Sequence, residues 1–410
     1  MPCSLFPASL LLLPLALTAC RHHDFPQYPA NYREFAYVTN GGSNTVTVLD
    51  LVNLRRDREL VVGNDPSGVA ANPARNEVYV VNSGPASGNG TVTVLDAQTN
   101  AVAATIPVHK KPYFIDVSSD GHRAYVANSG SNNVSVLDLD RRKEIAVVGV
   151  GEAPGMARIS PDNQTLLVTN RLGGSVTIVD AQTLKVRAVF PNCPGATDAV
   201  ILPDSSKGFI ACSAGHQVMV LAFARPAPVN GQPNAPGAEP EKSVQLPDRL
   251  PDRLLDFLDV GQSPVDLAMK PDGGEIFVSN YDSDTISEIA TGTNEVGGAS
   301  LIGARPANGI VSPDNSTLFV SNFTANTVGV YSIDDGQRIN AIQVGDGPDA
   351  LAFSTAGHLL LVANARSGDV AVIRATSYSP KGERKIGALF TMLPAAKQPN
   401  AIAVKAFQMP

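Results

Sequence analysis

A short apolar motif that ends in asparagine recurs along the chain and limits the fold more than any other feature. Successive copies begin 42, 46, 42, 42, 68, 42 and 42 residues apart. The eight copies are Tyr37-Val38-Thr39-Asn40, Tyr79-Val80-Val81-Asn82, Tyr125-Val126-Ala127-Asn128, Leu167-Val168-Thr169-Asn170, Phe209-Ile210-Ala211-Cys212, Phe277-Val278-Ser279-Asn280, Phe319-Val320-Ser321-Asn322 and Leu361-Val362-Ala363-Asn364. A fixed period of this kind indicates a repeat architecture in which each unit forms one module.

Each unit contains four short predicted strands. The first, or inner, strand follows a proline and ends in a turn such as Ser160-Pro161-Asp162-Asn163, and the apolar motif is the second strand. The third strand ends in aspartate, as in residues 45–50, and the fourth ends in Val-Gly, as in residues 61–63. These runs are rich in β-branched residues, are separated by turn residues and lack a helical period. The sequence therefore predicts an all-β fold, a β-propeller of four-stranded antiparallel blades.

The two ends of the repeat complement each other. The first unit has no inner strand, whereas residues 399–404 form an inner strand with no blade after it. We expect the C-terminal strand to pair with the N-terminal blade, which closes the ring and removes exposed sheet edges. This arrangement predicts eight blades. Seven blades are the alternative, because the fifth unit has Cys212 where asparagine is usual.

The repeat resembles the YVTN-repeat, or YncE-like, family of bacterial β-propellers. The resemblance rests on Tyr37-Val38-Thr39-Asn40 with residues 45–50, and it covers residues 36 to about 407. It implies a propeller of a surface or periplasmic protein, most often with seven blades. It says little about activity, because propellers carry unrelated binding and catalytic functions. The repeated asparagine is expected to be structural and to bond the loop that follows it, as over residues 40–44.

Residues 1–19 are predicted to be a lipoprotein signal peptide. The apolar stretch from residue 5 to residue 17 is shorter than the ~20 residues of a membrane-spanning helix. Leu17-Thr18-Ala19-Cys20 resembles the lipobox of bacterial lipoproteins, which implies a lipidated Cys20. Arg21 then implies the outer membrane, in an organism with two membranes. An ordinary secretory peptide cut near Ala19 is the alternative.

The remaining chain divides into a tether, residues 20–35, and one propeller domain, residues 36–407. The fifth unit carries an insertion, residues 224–252, that contains seven prolines. Such a composition favours an extended arm or linker over a packed core. It is either a partner-docking arm or a tolerated surface insertion.

Two cysteines are candidates for a disulfide. Cys193 and Cys212 lie at the same end of one predicted hairpin, and an exported protein folds under oxidising conditions. A buried thiol at the asparagine position is the alternative.

Oxygen-bearing residues cluster near the start of several inner strands, where a propeller channel opens. The five candidates are Asp198, Asp266, Asn308, Asp349 and Asn400. They predict an arc suited to a hard cation such as Ca²⁺, or to a cationic or hydroxylated ligand. The alternative is a set of solvated polar residues around a water-filled channel. Asp116 and Arg158, deeper in adjacent blades, are expected to pair.

The loops at the same end of the ring carry cations and an aromatic residue. These loop-face binding candidates are Lys110, Lys111, Tyr113, Arg171 and Arg305. They come without a glycine-rich phosphate loop and are weak evidence for anion binding. The histidines have no spacing typical of a metal site. The 31 basic against 38 acidic residues, a net charge of −7, disfavour a nucleic-acid partner.

These observations favour a lipid-anchored binding or scaffold protein of the cell envelope, expected to be a monomer. Its partner would be a small ligand, a glycan or another envelope protein, and no cofactor other than Ca²⁺ is suggested. Similarity to the bacterial 6-phosphogluconolactonases makes a lactonase-like hydrolase at the channel mouth the alternative. The enzyme is less favoured, because the sequence offers no nucleophile beside a convergent acid and base.

Overall fold

The strands form eight four-stranded antiparallel sheets, one for each repeat unit. The computed structural model describes residues 28–226, 249–378 and 384–409. The eight-bladed β-propeller predicted from the repeat is therefore confirmed, and seven blades are excluded. The candidate lipidation site Cys20 lies outside the described residues.

The first half of the ring follows the chain in order. Blade 1 begins with β1 (Tyr32–Asn40), β2 (Thr45–Asp50) and β3 (Arg55–Val61). Blade 2 contains β4 (Pro66–Ala71), β5 (Glu77–Asn82), β6 (Thr91–Asp96) and β7 (Ala101–Pro107). Blade 3 contains β8 (Pro112–Val117), β9 (Arg123–Asn128), β10 (Asn133–Asp138) and β11 (Lys143–Gly149). Blade 4 contains β12 (Pro154–Ile159), β13 (Thr165–Asn170), β14 (Ser175–Asp180) and β15 (Val186–Phe190).

The second half follows the same plan with one added ribbon. Blade 5 contains β16 (Ala196–Ile201), β17 (Lys207–Cys212), β18 (Gln217–Ala222) and, after the ribbon of β19 (Arg225–Pro226) and β20 (Arg249–Leu250), β21 (Arg253–Asp259). Blade 6 contains β22 (Pro264–Met269), β23 (Glu275–Asn280), β24 (Thr285–Ala290) and β25 (Glu295–Leu301). Blade 7 contains β26 (Pro306–Val311), β27 (Thr317–Asn322), β28 (Thr327–Ser332) and β29 (Gln337–Gln343). Blade 8 contains β30 (Pro348–Phe353), β31 (Leu359–Asn364), β32 (Asp369–Tyr378) and β33 (Arg384–Pro394).

The last strand closes the ring as expected. β34 (Pro399–Gln408) pairs antiparallel with β1 from Tyr32↔Gln408 to Asn40↔Pro399 and becomes the inner strand of blade 1. β1 begins four residues before the predicted domain start, because residues 32–35 pair with the end of β34. The helical content of the described residues is one 3₁₀ turn, Ser213–Gly215. Among those residues, no helix has the length and apolar character required to cross a bilayer.

Eight apolar clusters fill the spaces between neighbouring blades. The first residue of the repeated motif anchors them, since Tyr37, Tyr79, Tyr125, Phe209, Phe277 and Phe319 are all buried. Burying one such side chain contributes about 1.5–3 kcal/mol. Each cluster joins two adjacent blades, as where Tyr125 of blade 3 lies with Leu166 of blade 4. The motif therefore holds the ring together through the contacts between sheets.

The repeated asparagine stabilises the junction between two blades. Asn170 Nδ2 donates to Ser175 Oγ (3.1 Å) and to Thr177 Oγ1 (2.9 Å) on the third strand. The loop that enters the same blade packs against it, and a Cβ on Gly151 would lie 2.6 Å from Asn170 Cγ. The expectation that this side chain bonds the following loop is therefore wrong. Its Nδ2 bonds the third strand instead, and its Oδ1 accepts a hydrogen bond at 3.0 Å from the backbone N–H of Gly151, in the loop that enters the blade.

The two ends of the proline-rich insertion are bonded to each other at Asp252, and an ion pair also ties them to Arg187 in β15 of blade 4. Arg187 Nη2 lies 2.8 Å from Asp252 Oδ1, and the two side chains are only 13% and 4% exposed. The same carboxylate accepts a hydrogen bond from the backbone N–H of Ala224 at 2.8 Å. Residues 227–248, most of the predicted insertion, lie outside the described residues.

Candidate functional site at the channel mouth

All eight inner strands carry a β-bulge next to their first residue. In blade 4 the register passes from Pro154↔Asn170 directly to Met156↔Thr169, and the other inner strands show the same shift. A bulge places two residues opposite one partner and changes the direction of their side chains. Positions two and three of each inner strand therefore both lie at the channel mouth.

The residues at position three form an asymmetric ring. In blade order they are Ala401, Gly68, Phe114, Met156, Asp198, Asp266, Asn308 and Ala350. Blades 3 and 4 contribute an aromatic and a thioether side chain, whereas blades 5 to 7 contribute two carboxyls and an amide. Asp349 adds a third carboxyl from position two of blade 8. One wall of the mouth is thus apolar and the other is rich in oxygen.

Asp198 and Asp266 each link two inner strands. Asp198 Oδ2 accepts a hydrogen bond from the backbone N–H of Leu267 in blade 6 at 2.8 Å. Asp266 Oδ2 accepts one from the backbone N–H of Gly309 in blade 7, also at 2.8 Å. In each carboxyl this bond uses one oxygen. Asp266 remains partly exposed.

The three carboxyls are electrostatically coupled. Burial raises the pKa of Asp266 well above its usual range, the nearby charge of Asp198 raises it further, and Asp349 adds a smaller effect. Burial also raises the pKa of Asp198, and the Arg158 charge opposes this rise. Burial raises the pKa of Asp349 to about 6. The structure therefore brings these three predicted residues into one electrostatic unit.

The two amides of the predicted arc behave differently. Asn308 Nδ2 donates to Asp349 Oδ1 at 2.7 Å, so Asn308 belongs to the group. Asn400 Nδ2 donates to the backbone carbonyl of Pro66 at 2.9 Å, and its Oδ1 accepts from Thr39 Oγ1 at 2.5 Å. The Oδ1 end of the amide is thus bonded within blade 1, and the Nδ2 end joins blade 1 to blade 2. Asn400 is therefore a link between blades rather than a free ligand group.

Arg158 lies between two buried acids. Its Nη2 is 3.8 Å from Asp198 Oδ1, and its guanidinium stacks on the ring of Phe114 at 4.9 Å. The expected partner, Asp116, instead accepts a hydrogen bond from the backbone N–H of Ile159 at 3.1 Å. Stacking on Phe114 and a bond from Nε to the Ala199 carbonyl at 3.2 Å direct the guanidinium toward blade 5. Arg158 therefore pairs with Asp198 and not, as expected, with Asp116, on which it acts only through its charge by opposing the rise in the pKa of that carboxyl.

The carboxyls do not form a metal-binding group. In residues 28–226, 249–378 and 384–409, no three His, Cys, Asp or Glu side chains come together in a way that could hold a metal ion. The hydrogen bonds that Asp198 and Asp266 accept from the next blade fix the two carboxyls in separate positions.

The loop-face candidates occupy different parts of the ring. Lys110, Lys111 and Tyr113 lie together before and within β8, and Arg171 lies in the next blade. Arg305 precedes blade 7, opposite blade 3 in a ring of eight, and its guanidinium stacks on a tyrosine ring at 5.3 Å. These five residues do not form one continuous patch.

Cys193 and Cys212 are joined by a disulfide in the structure, with both cysteines fully buried. Cys212 takes the place of the repeated asparagine. Cys193 lies three residues before the inner strand, where Gly151 lies in blade 4. The disulfide thus replaces the glycine–asparagine contact of other blades with a covalent bond.

Sequence reasoning missed two cations on the loop face, Arg366 and Lys397. Both line a cavity of about 760 Å³ between blades 8 and 1. Lys397 occupies the same repeat position as Lys110, two residues before the inner-strand proline. Aligning the loops by the repeat would have found it.

Two protein families match parts of the chain. The lactonase family of seven-bladed β-propellers matches residues 302–381, and the cytochrome D1 heme domain matches residues 87–223. Each match covers less than half of the 410 residues. No curated protein sequence matches the chain.

Several solved structures share the fold. The dihydro-heme d1 dehydrogenase NirN, solved in complex with DHE, has a TM-score of 0.68 at 15% identity over 92% of this chain and 76% of its own. Apo AztD from Citrobacter koseri has a TM-score of 0.62 at 15% identity, covering 92% and 98%. A candidate 6-phosphogluconolactonase from Bacteroides fragilis has a TM-score of 0.57 at 13% identity, covering 93% and 100%. At these identities the likeness extends to the fold alone.

The inner strands offer few ligands for a haem iron. Axial haem ligands in proteins are mainly His, Cys, Met or Tyr, and of these the eight inner strands contain Tyr113, Met156 and Met269. Met156 Sδ lies 3.9 Å from Arg158 Nη2, on the strand beside the one that carries Asp198. The fold and these comparisons together show that the chain is an eight-bladed β-propeller.

Proposed function

We propose that this protein is a binding protein of the cell envelope whose channel mouth takes up a small organic cation that also carries hydroxyl groups. The observation that carries the proposal is the group of three carboxyls on blades 5, 6 and 8, with Arg158 as the nearby cation. Burying several acids side by side costs free energy unless a ligand or a partner compensates them. An organic cation would supply that compensation.

The three carboxyls would have different roles toward such a ligand. Asp349, with a pKa of about 6, is mostly ionised at neutral pH and would supply the negative charge. Burial and the Asp198 charge favour the protonated form of Asp266, which could donate a hydrogen bond to a ligand hydroxyl. Asn308 holds Asp349 in place through its amide and offers its own oxygen as a further acceptor.

The opposite wall suits the apolar part of the same ligand. In a ring of eight, blades 3 and 4 lie across the channel from blades 7 and 8. Phe114 and Met156 therefore face the side of the mouth that carries Asn308 and Asp349. Aromatic faces attract organic cations by about 0.5–2 kcal/mol, although Arg158 already covers part of the Phe114 ring.

The proposal can be tested by titrating the purified full-length chain with choline, ethanolamine, spermidine and calcium chloride at pH 8, followed by calorimetry. We expect at least one organic cation to bind, and Asp349→Asn to weaken that binding at least about tenfold through loss of a charge-assisted contact. Asp256→Asn is the matched control, because Asp256 is exposed on an outer strand. Binding of calcium alone would favour the metal interpretation, and the absence of any binding would contradict the proposal.

We also propose that the protein is exported and anchored through a lipid on Cys20. β1 starts and β34 ends at the end of the ring away from the loop face, so the tether would join there. The loop face and the channel mouth would then point away from the membrane. Mass spectrometry of the mature N-terminal peptide tests the anchor, because an unmodified Cys20 would contradict it.

A lactonase-like hydrolase is the second candidate. It is supported by the partial match to the lactonase family over residues 302–381, which include Asn308 and Asp349. Asp349 could act as general base on a water molecule that opens a sugar lactone to the hydroxy acid, with Arg158 near the carbonyl oxygen. Hydrolysis of glucono-δ-lactone above the buffer rate, lost in Asp349→Asn but not in Asp256→Asn, would favour this candidate over a pure binding protein.

A further inference from the structure

A second cavity lies on the loop face where the two ends of the ring meet. It has a volume of about 760 Å³, within the range of small-molecule sites. Its walls are the loop over residues 41–44 of blade 1, the loop over residues 365–368 of blade 8, and residues 395–398, which join these blades. The cavity is thus separate from the carboxyls on the inner strands.

Two cations face this cavity without any acid among its ten lining residues. Arg366 and Lys397 are both exposed, and neither makes an ion pair within 4.0 Å in the described part of the chain. The Arg366 guanidinium is held over the ring of Phe323 at 4.5 Å. The lining therefore carries a positive charge in a chain whose net charge is −7.

Two hydroxyl groups in the lining are arranged as donors. Ser43 Oγ accepts a hydrogen bond from the backbone N–H of Lys397 at 2.8 Å. Ser367 Oγ accepts one from the backbone N–H of Asp346 at 3.0 Å. Because each oxygen already accepts a bond from the backbone, each hydroxyl keeps its own proton for another acceptor.

The pairing of a lysine before the inner strand with an arginine in the neighbouring loop is specific to the junction of blades 8 and 1. At the junction of blades 2 and 3, Lys110 takes the position of Lys397, but the loop over residues 83–90 contains no lysine or arginine. Apart from Ser43, Arg366, Ser367, Lys397 and Gln398, the lining consists of glycines and alanines, which leave the space open.

From this geometry we propose that the cavity binds a small organic anion through its carboxylate or phosphate group. Arg366 and Lys397 supply the opposite charge, and the two serine hydroxyls donate hydrogen bonds to the remaining oxygens. The anion would contact both ends of the ring, so its binding would also stabilise the closure of blade 1 against blade 8.

Calorimetry on the full-length chain with inorganic phosphate and with acetate, at constant ionic strength set with chloride, tests this site. We expect saturable binding of at least one of the two anions and a higher melting temperature when it is bound. Arg366→Met and Lys397→Met should each weaken the binding at least about tenfold. Lys143→Met is the control, because Lys143 is exposed at the start of an outer strand, and it should change the affinity less than twofold.

The comparison of the two anions identifies the group that the cavity recognises. Binding of phosphate but not acetate would indicate a site for a tetrahedral oxyanion. Binding of both would indicate a site for oxyanions in general. Lys397→Arg should keep most of the affinity, which separates loss of charge from loss of folding. The proposal is overturned if neither anion binds at concentrations up to about 50 mM, or if Lys143→Met loses as much affinity as Lys397→Met. Asp349→Asn should leave anion binding unchanged, so this test is independent of the channel site.

Discussion

Single residues at the channel mouth show why a repeat can carry a specific site. Most positions of each unit are set by packing between blades, and they vary only among similar residues. The mouth positions follow no such rule and contain glycine, phenylalanine, methionine and aspartate in successive blades. Since packing does not require these differences, they are the best guide to binding chemistry in this chain.

Asp349 provides a residue-scale prediction about stability and pH. Its pKa in the folded protein is about 6, above the ~3.9 of an unfolded chain, so folding favours the protonated form. The protonated carboxyl of Asp349 stabilises the folded protein fully below about pH 4, and this contribution is lost as the pH rises through 6. Asp349→Asn keeps an oxygen to accept the bond from Asn308 but carries no charge.

We therefore expect Asp349→Asn to raise the melting temperature at pH 8 by about 2–4 °C, the change that about 1 kcal/mol produces in a large domain. At pH 4 the variant and the wild type should melt together. Differential scanning calorimetry at both pH values makes the comparison. An equal shift at both pH values would show that the effect comes from packing and not from ionisation.

At the scale of the blade, the sequence predicted the strands, their turns and the pairing of Cys193 with Cys212. It could do so because each signal is local: a proline, an Asp turn, a β-branched run or two cysteines at the end of one hairpin. It did not predict that Asp116, Asp198 and Asp266 bond to backbone groups of the next blade. Those bonds depend on the distance between blades, which packing sets.

The inner-strand bulge is a second feature that the sequence did not reveal. A proline begins seven of the eight inner strands beside the bulge, but the proline does not by itself specify it, because the bulge is a shift in register between the first two strands of each blade. It explains why Asp349, at position two, joins a group otherwise formed from position three. Asn400 occupies the same position two in blade 1, so the sequence placed it in the arc, although its amide is bonded to Thr39 and to Pro66.

The contact between the loop glycine and the repeated asparagine leads to a prediction for a single element. A methyl group on Gly151 would lie within 2.6–2.8 Å of three Asn170 atoms, whereas one on Gly149 would meet nothing within 4 Å. Overpacking of this kind costs typically 1–3 kcal/mol. Gly151→Ala should therefore lower the free energy of unfolding by about that amount, and Gly149→Ala should leave it the same or slightly higher. Denaturant unfolding of both variants tests this, and equal stability would disprove the packing role of the asparagine.

At the scale of the whole molecule, stability depends on joining the two ends of the chain. β34 pairs with β1 over the full length of that strand, and Lys405 on β34 also donates from Nζ to the carbonyl of Asn72 in blade 2 at 2.7 Å. The sequence predicted this closure because the first and last units lack complementary parts. An open ring would expose the edge of β1 and the apolar cluster beside it.

Deletion of residues 399–410 should therefore abolish the soluble monomer and give aggregates on size-exclusion chromatography. Adding a synthetic peptide of residues 399–408 during refolding should restore part of the monomer by strand addition. Deletion of Pro410 alone is the control and should have no effect. A truncated chain that remains monomeric with the melting temperature of the wild type would contradict the closure model.

The central claim is that a carboxylate at the channel mouth binds an organic cation. Calorimetric titration with choline, or with whichever of the probe cations binds best, at pH 8 and at pH 5 tests it most directly. With a pKa of about 6, Asp349 is almost fully ionised at pH 8 and about one-tenth ionised at pH 5. We expect about tenfold weaker binding at pH 5 than at pH 8 in the wild type and little pH dependence in Asp349→Asn. Equal affinity at the two pH values in the wild type would contradict it.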